Sequence, residues 1–443
     1  MNDTPHFTGG GPKDDHSRAS DAQPALPPPG ALAPFANRNF RFQFPADLLT
    51  SWAFEMETLI LGWYVLVQTG SVLLLTVFAA LQFLGTLIAP MFGVAGDRIG
   101  HRNLLCLMRA AYTFLSATLV TVILIGWLSP LAIFIIAALA GAIRPSDIAV
   151  RSSLVAEIVP PPQLVGALSL SRTTSDSARL FGALAGASLF ATLGLTPAYI
   201  SVACLYALGF ALTLCVKRVP GRRYAPGTLP STPRLPSPWH DLKEGLVYVW
   251  NTPHLLAAVW VAFLVNLTAY PLTHGLLPYV ARNIYHVDQT GLGYLLAGFA
   301  LGALIGSVAL TFAKRLFPLA RLMIVSALLW YAMLLIFAHM PTALGATLIL
   351  ILAGFAQSLS LVPLSVILLR TSDPALRGRV MGVRMLAIYG LPVGLLTAGA
   401  LIERIGFYTT LMTYGLIGLA CIIAIAVYWR SDIWPAHARA NAA

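Results

Sequence analysis

Twelve apolar runs, each about as long as a helix needs to cross a bilayer, constrain this chain more than any other feature. They lie at 46–69, 72–94, 104–127, 131–154, 167–193 and 198–216 in the first half. In the second they lie at 255–277, 294–312, 321–339, 343–369, 380–402 and 409–429. Only 10% of residues are charged and mean hydropathy is +0.77. A soluble domain carries about a quarter charged residues, so this chain cannot clothe a water-facing surface. In lipid every backbone N–H and C=O must be satisfied internally, which at these lengths means helices. The expected fold is an all-α membrane protein of twelve transmembrane helices.

Lys and Arg alternate between connections. Those around Gly70, Ser129, Thr196 and Met340 contain neither. Four alternate connections are basic: they hold Arg98 and Arg102; Lys217, Arg218, Arg222 and Arg223; Lys314 and Arg315; and Arg370, Arg377 and Arg379. The positive-inside rule places the basic side, and with it both termini, in the cytoplasm. The net charge of +11 is therefore read as membrane topology, not as nucleic-acid binding. The lipid bilayer is the expected partner and the inner (plasma) membrane the expected location. Residues 1–37, rich in Pro and Gly, read as a disordered cytoplasmic tail, and 431–443 as a second one. Helical halves at 38–216 and 254–430 flank a basic, Pro-rich linker at 217–253, in which WHDLKEGLVYVW (239–250) can form an amphipathic helix on the membrane surface.

The halves repeat each other weakly. LGTLI (84–88) matches LGALI (301–305), and PQLVGALSLSR (162–172) matches PALRGRVMGVR (374–384), the latter keeping its Pro, Leu, Gly and final Arg in register. Two pseudo-symmetric six-helix halves indicate a transporter with its site near the midplane between them.

The segment GVAGDRIGHRN (93–103) puts Asp97, Arg98, His101 and Arg102 between glycines in a chain otherwise poor in charge. It resembles the loop signature of the major facilitator superfamily, Gly-x-x-x-Asp-Arg-x-Gly-Arg-Arg/Lys. Gly93, Asp97, Arg98, Gly100 and Arg102 match, and His101 stands where Arg is usual. LGWYVLVQTGS (61–71), VRSSLVAEIVPPPQL (150–164) and SARLFGALAG (177–186) are similar to the branch that holds the enterobactin exporter and macrolide efflux proteins. Ala183 and Ala149 depart from it, each replacing a proline. The resemblance implies the major facilitator fold and efflux of a small organic molecule. It also implies a gating contact in which Asp97 pairs with Arg151 and meets the start of the eleventh helix, around Arg379 and Arg384. The alternative is that these residues only set topology.

Charged groups inside the spans cost about 3 kcal/mol each at the bilayer centre, so they should face a cavity or one another. Glu55 and Glu57 lie in the first helix, Arg144 and Asp147 in the fourth, Asp176 and Arg179 in the fifth. The last two pairs are i,i+3 and can meet on one face. Glu55 and Glu57 point about 200° apart, so at most one faces the cavity. Glu57, about 16 Å along its helix, matches Arg179 in depth and is expected to pair with it and to carry the proton, with Glu55 the next candidate and a structural ion-pair network that never titrates the alternative. In the second half the deep polar residues are Asn266, Tyr270, His274, Gln357 and Tyr389. Gly182 and Gly186, and the stripe Gly298, Gly302 and Gly306, permit close helix approach.

No GxxxxGK[ST], HExxH or GxSxG motif occurs, which leaves no basis for an ATP-driven pump or a hydrolase. Cys106, Cys204, Cys215 and Cys421 form no metal-ligand spacing. No cofactor is expected. The reading is a monomeric, proton-coupled secondary transporter of the efflux type. A proton symporter importing a small solute is the second reading, and a non-transport receptor on the same scaffold a remote third.

Overall fold

The computed structural model describes residues 32–86, 88–217, 238–313, 318–373 and 376–430. The expected tails 1–31 and 431–443 and most of the linker lie outside them. Twelve long helices run back and forth across the bundle. α1 is Arg38–Thr69; α2 is Val72–Leu81 continued by Ala89–Ile99; α3 is His101–Leu124; α4 is Pro130–Ile158; α5 spans 164–193; α6 is Leu195–Leu214. The second half has α7 at Pro253–Ile284, α8 at Gln289–Ala313, α9 at Leu319–Ala338, α10 at Ala343–Arg370, α11 over 377–405 and α12 at Phe407–Tyr428. A connector helix, Pro238–Trp250, precedes α7. An even number of spans puts Arg38 and Arg430 at one end of the bundle, here the terminal face. The opposite, distal face carries the α1–α2 turn.

Among the described residues nine helices are long and apolar enough to cross a membrane by composition alone. The three spans that miss this standard, α1, α2 and α5, all belong to the first half. α1 carries Asp47, Glu55 and Glu57, α5 carries Asp176 and Arg179, and α2 is broken by a short turn at Leu84–Thr86. Charge and helix breaks are thus concentrated where chemistry is expected.

Local signals set the ends. Asn37 caps α1, its side chain accepting from Asn39 N at 2.9 Å. Gly70 closes the same helix at φ +64, a left-handed conformation that only glycine adopts without strain. Ser71 Oγ then accepts from Leu74 N to start α2. α1 begins at Arg38, earlier than the apolar run at 46, and passes through Pro45. Residues 33–36, expected as disordered tail, form a helical turn. The reason is aromatic packing: Phe35 lies edge-on to Phe40 and Phe44, at 5.2 and 5.1 Å. Phe40 is buried against Leu104, Leu105, Met108 and Leu154.

The weak sequence repeat becomes a repeated contact. A Cβ on Gly85 would strike the Ala142 carbonyl and one on Gly141 the Leu81 carbonyl, so α2 and α4 touch backbone to backbone. In the second half Gly302 meets the Ile351 carbonyl and Gly354 the Phe299 carbonyl, joining α8 to α10. Gly85 and Gly302 are the second residues of LGTLI and LGALI.

The halves meet at the distal side. Gly399 of α11 lies on Leu73 and Thr76 of α2, Gly293 of α8 on Ala187 of α5, and Gly275 of α7 on Ala79 of α2. Small residues permit each approach.

Candidate functional site

The glycine pair of α5 seats it on α1. A Cβ at Gly186 would lie 3.0 Å from Met56 Cα, and one at Gly182 would lie 3.1 Å from Glu55 Cβ. Ala178–Gly182 is wound wider than an α-helix, with π-type i→i+5 bonding. α7 carries three such stretches, Val265–Ala269, Leu272–Leu276 and Val280–Ile284. Wide turns of this kind redirect side chains and gather at functional sites. Arg179 sits on the first of them, His274 on the second of those in α7, and Tyr270 between two.

These turns bring four residues from both halves together. Arg179 Nε lies 4.0 Å from Glu55 Oε1, and both side chains remain partly open, at 41% and 31% exposure. Tyr270 and His274 stand within electrostatic reach of Arg179. The rings of Tyr270 and His274 meet edge-on at 4.6 Å, and Tyr270 packs on Trp330 at 5.1 Å. Gln357 joins the group by donating from Nε2 to the Tyr270 hydroxyl at 2.6 Å. Phe83 of α2 approaches His274 from the other half.

The expected pairs are rearranged. Glu57 does not meet Arg179. Being two residues from Glu55 it lies on the other side of α1, where it accepts hydrogen bonds from Tyr199 (2.7 Å) and Tyr206 (2.8 Å) of α6. Arg179 draws up to Glu55 on the neighbouring helix, with Asp176 of its own helix also within electrostatic reach. Arg144 turns away from Asp147. It bonds Gln82, Thr58 Oγ1 (3.3 Å) and the Phe54 carbonyl (3.0 Å), over the Phe54 ring. Helical spacing allows an i,i+3 pair, but the fork of a guanidinium is better filled by three acceptors on α1 and α2. Glu57, Thr58, Gln82 and Arg144 line a small cavity of ≈ 20 Å³ in the first half, room for about one water. Asn266 donates to the Ala262 carbonyl of its own helix. Tyr389 lies half-buried at the break in α11 and Arg384 half-buried on its inner piece.

One cluster has no counterpart among the expected residues. Asp47 of α1 forms a buried ion pair with Arg109 of α3, and Arg109 also bonds Thr213 of α6. Gln43 donates to Asp47 at 2.7 Å. Arg109 and Asp47 are 1% and 2% exposed. Both sit in or beside apolar runs, and a charge in each of two such runs was the available signal.

At the terminal face the side chain of Asp97 lies outside what the structure describes, as does the setting of Gly93, so the expected Asp97–Arg151 contact does too. Arg151 is buried and donates to Ser51 (3.1 Å) and Ser175 (3.3 Å) of α1 and α5. Arg102 donates to the carbonyls of Leu214 (2.8 Å) and Val216 (3.1 Å), closing the C-terminus of α6. His101 Nδ1 lies 2.6 Å from Glu157 Oε1, Arg98 is exposed, and Gly100 makes its turn at φ +87. Arg379 donates to Glu244 of the connector helix at 2.8 Å.

A family model described as Major Facilitator Superfamily matches residues 44–393 and, in a second match, 275–442. No curated protein matches the chain closely enough to be called a relative. Among solved structures, the nucleoside transporter NupG is 12% identical over 89% of this chain and 99% of its own, with a TM-score of 0.68. A D-xylose–proton symporter is 15% identical over 87% and 97%, at 0.66. The human organic anion transporter MFSD10 is 20% identical over 90% and 100%, at 0.61. At these identities the likeness is one of fold. With the family model covering most of the chain, and a charged pair of the first half facing polar residues of the second between twelve spans, the chain belongs to the Major Facilitator Superfamily and is a multi-pass membrane transporter, not an enzyme.

Proposed function

We propose that the protein is a proton-coupled secondary transporter that exports a small organic molecule by alternating access. The carrying observation is the loose Glu55–Arg179 pair, 4.0 Å apart and partly open, where α1 and α5 face α7. A charge inside a span marks a substrate or proton path. Arg keeps its charge throughout, so the carboxylate is the group that takes up and gives back the proton. Glu55, not Glu57, is the coupling residue, because Glu57 is held by two tyrosines on the far side of its helix. The basic loops on the terminal face support cytoplasmic termini and insertion in the inner (plasma) membrane. Export of a siderophore-like or drug-like molecule follows the resemblance of 61–71, 150–164 and 177–186 to efflux proteins.

One observation favours the second reading, proton symport. A proton on Glu55 releases Arg179, which can then hold an anionic group of the substrate, so proton and anion load together.

Purified protein in liposomes under an imposed pH gradient, with a trapped pH dye and a panel of siderophores, macrolides and amphipathic drugs, tests both. Opposite movement of proton and substrate supports export, and parallel movement supports symport. Glu55→Gln is expected to abolish gradient-driven flux while sparing gradient-free exchange. Wild-type flux against a gradient in Glu55→Gln overturns the assignment.

A further inference from the structure

The first half holds a second polar system that the Glu55–Arg179 site does not use. Asp147 is 9% exposed, and its Oδ1 has no hydrogen-bond partner among the described residues. The same holds for Tyr112 Oη, Arg109 Nε and Gln43 Oε1. These atoms belong to one neighbourhood. Gln43 bonds Asp47, which pairs with Arg109; Asp147 acts electrostatically on both Asp47 and Tyr112. Tyr112 and Arg109 lie one turn apart on α3. The ring of Tyr112 lies 5.7 Å from that of Tyr206, whose hydroxyl donates to Glu57 Oε2 at 2.8 Å. Glu57 in turn borders the ≈ 20 Å³ cavity of the first half, large enough for about one water.

Buried polar atoms are rarely left unpaired, and internal water is the usual partner where several converge. A buried carboxylate oxygen that accepts nothing from the protein is satisfied by water or by a proton of its own. We propose that Asp147, Tyr112, Tyr206 and Glu57 form a water-bridged proton path through the first half, separate from the space between the halves. The transfer balances without any redox change. The proton of Asp147 passes through a bridging water to Tyr112, Tyr112 passes its own through a second water to Tyr206, and Tyr206 passes its own directly to Glu57. Both tyrosines keep an O–H, Asp147 becomes the carboxylate and Glu57 the acid. The titratable and charged groups around the path are Asp47 on α1, Arg109 on α3, Arg144 and Arg151 on α4, and Tyr199 on α6. Asp47 is already committed to Arg109, Arg144 to Gln82 and Arg151 to two serines, which leaves Asp147 to handle the proton.

The test needs no substrate and is independent of the transport direction and of the role of Glu55. Purified full-length protein is taken through a pH jump, and infrared spectroscopy follows the carbonyl stretch of protonated carboxylic acids. Bands are assigned with Glu55→Gln, Glu57→Gln and Asp147→Asn. Tyr112→Phe, which removes only a hydroxyl, is expected to slow the rise of the Glu57 band by about 100-fold, the scale of losing a positioned proton-transfer group. The Glu55 band, fed from the space between the halves, should keep its rate in the same sample. Asp147→Asn should act like Tyr112→Phe, and Asp147→Glu should restore much of the rate. A Glu57 band that rises at the wild-type rate in Tyr112→Phe, or that never forms, overturns the proposal.

Discussion

Glu403 of α11 reaches across the distal face to α2, accepting a hydrogen bond from Ser71 Oγ at 2.8 Å and one from Leu73 N at 3.3 Å. A carboxylate from one half thus sits on the N-terminus of a helix in the other, where the helix dipole favours it. On the other side of Gly70, Arg282 of α7 donates to the Leu66 carbonyl at 2.7 Å, the matching cation at a helix C-terminus. The second half grips both helix ends of the α1–α2 turn, and the grip must be released for the distal side to open.

Glu403→Ala should therefore weaken the distal closure by about 1 kcal/mol, the scale of losing one helix cap, or about fivefold in population. Spin labels at the exposed distal positions Thr192 and Asn283 should show a larger long-distance fraction. Ser71→Ala should act in the same direction, and the double variant should add little, because both lie in one interaction. An unchanged distance distribution in both single variants would show that this contact does not hold the distal side.

Gly186→Leu should force α5 off Met56 and carry Arg179 away from Glu55. Overpacking of this kind costs about 1–3 kcal/mol, read as a lower unfolding midpoint in detergent, and transport should fall with it. Gly378→Ala, at a glycine with open space around it, should change neither.

Arg109→Leu should destabilise the protein by about 3–5 kcal/mol, since it strands a buried carboxylate. Asp47→Leu should cost a similar amount. The Asp47→Leu/Arg109→Leu double variant should unfold later than either single one. Additive losses in denaturant melts would show that the two residues stabilise the fold separately.

Topology can be read with cysteines in a background lacking Cys106, Cys204, Cys215 and Cys421. A cysteine at Ser129 should react with an impermeant reagent from outside the cell, and one at Gly378 only from inside. Both positions are exposed, whereas Ser372 on the same side as Gly378 is 3% exposed and would be a poor reporter. The reverse labelling pattern would invert the assignment.

Some of the site was legible from spacing alone. That Glu55 and Glu57 cannot both face the space between the halves follows from the helical pitch, and the structure separates them as the pitch requires. Which one faces it was not legible. The rotation of α1 is set by where Gly182 and Gly186 let α5 approach, and that is a contact between helices far apart in sequence. The i,i+3 argument failed for Arg144 for a related reason. It counts only neighbours on one helix, and the better acceptors, Gln82, Thr58 and the Phe54 carbonyl, came from two others. Asp47 and Arg109 are not legible as a pair, because each is an isolated charge near the end or the middle of an apolar run.

The sequence by itself determined that the chain crosses the membrane as a series of helices, how many there are, and that the second six repeat the first. These follow from run length, from the absence of water in lipid and from residues a few positions apart. Only the tertiary structure decided which carboxylate meets Arg179, which one the tyrosines of α6 hold, and that the second half caps the α1–α2 turn. Those outcomes depend on the rotation and offset of whole helices, fixed by glycine contacts and wide helical turns between segments that no local pattern relates.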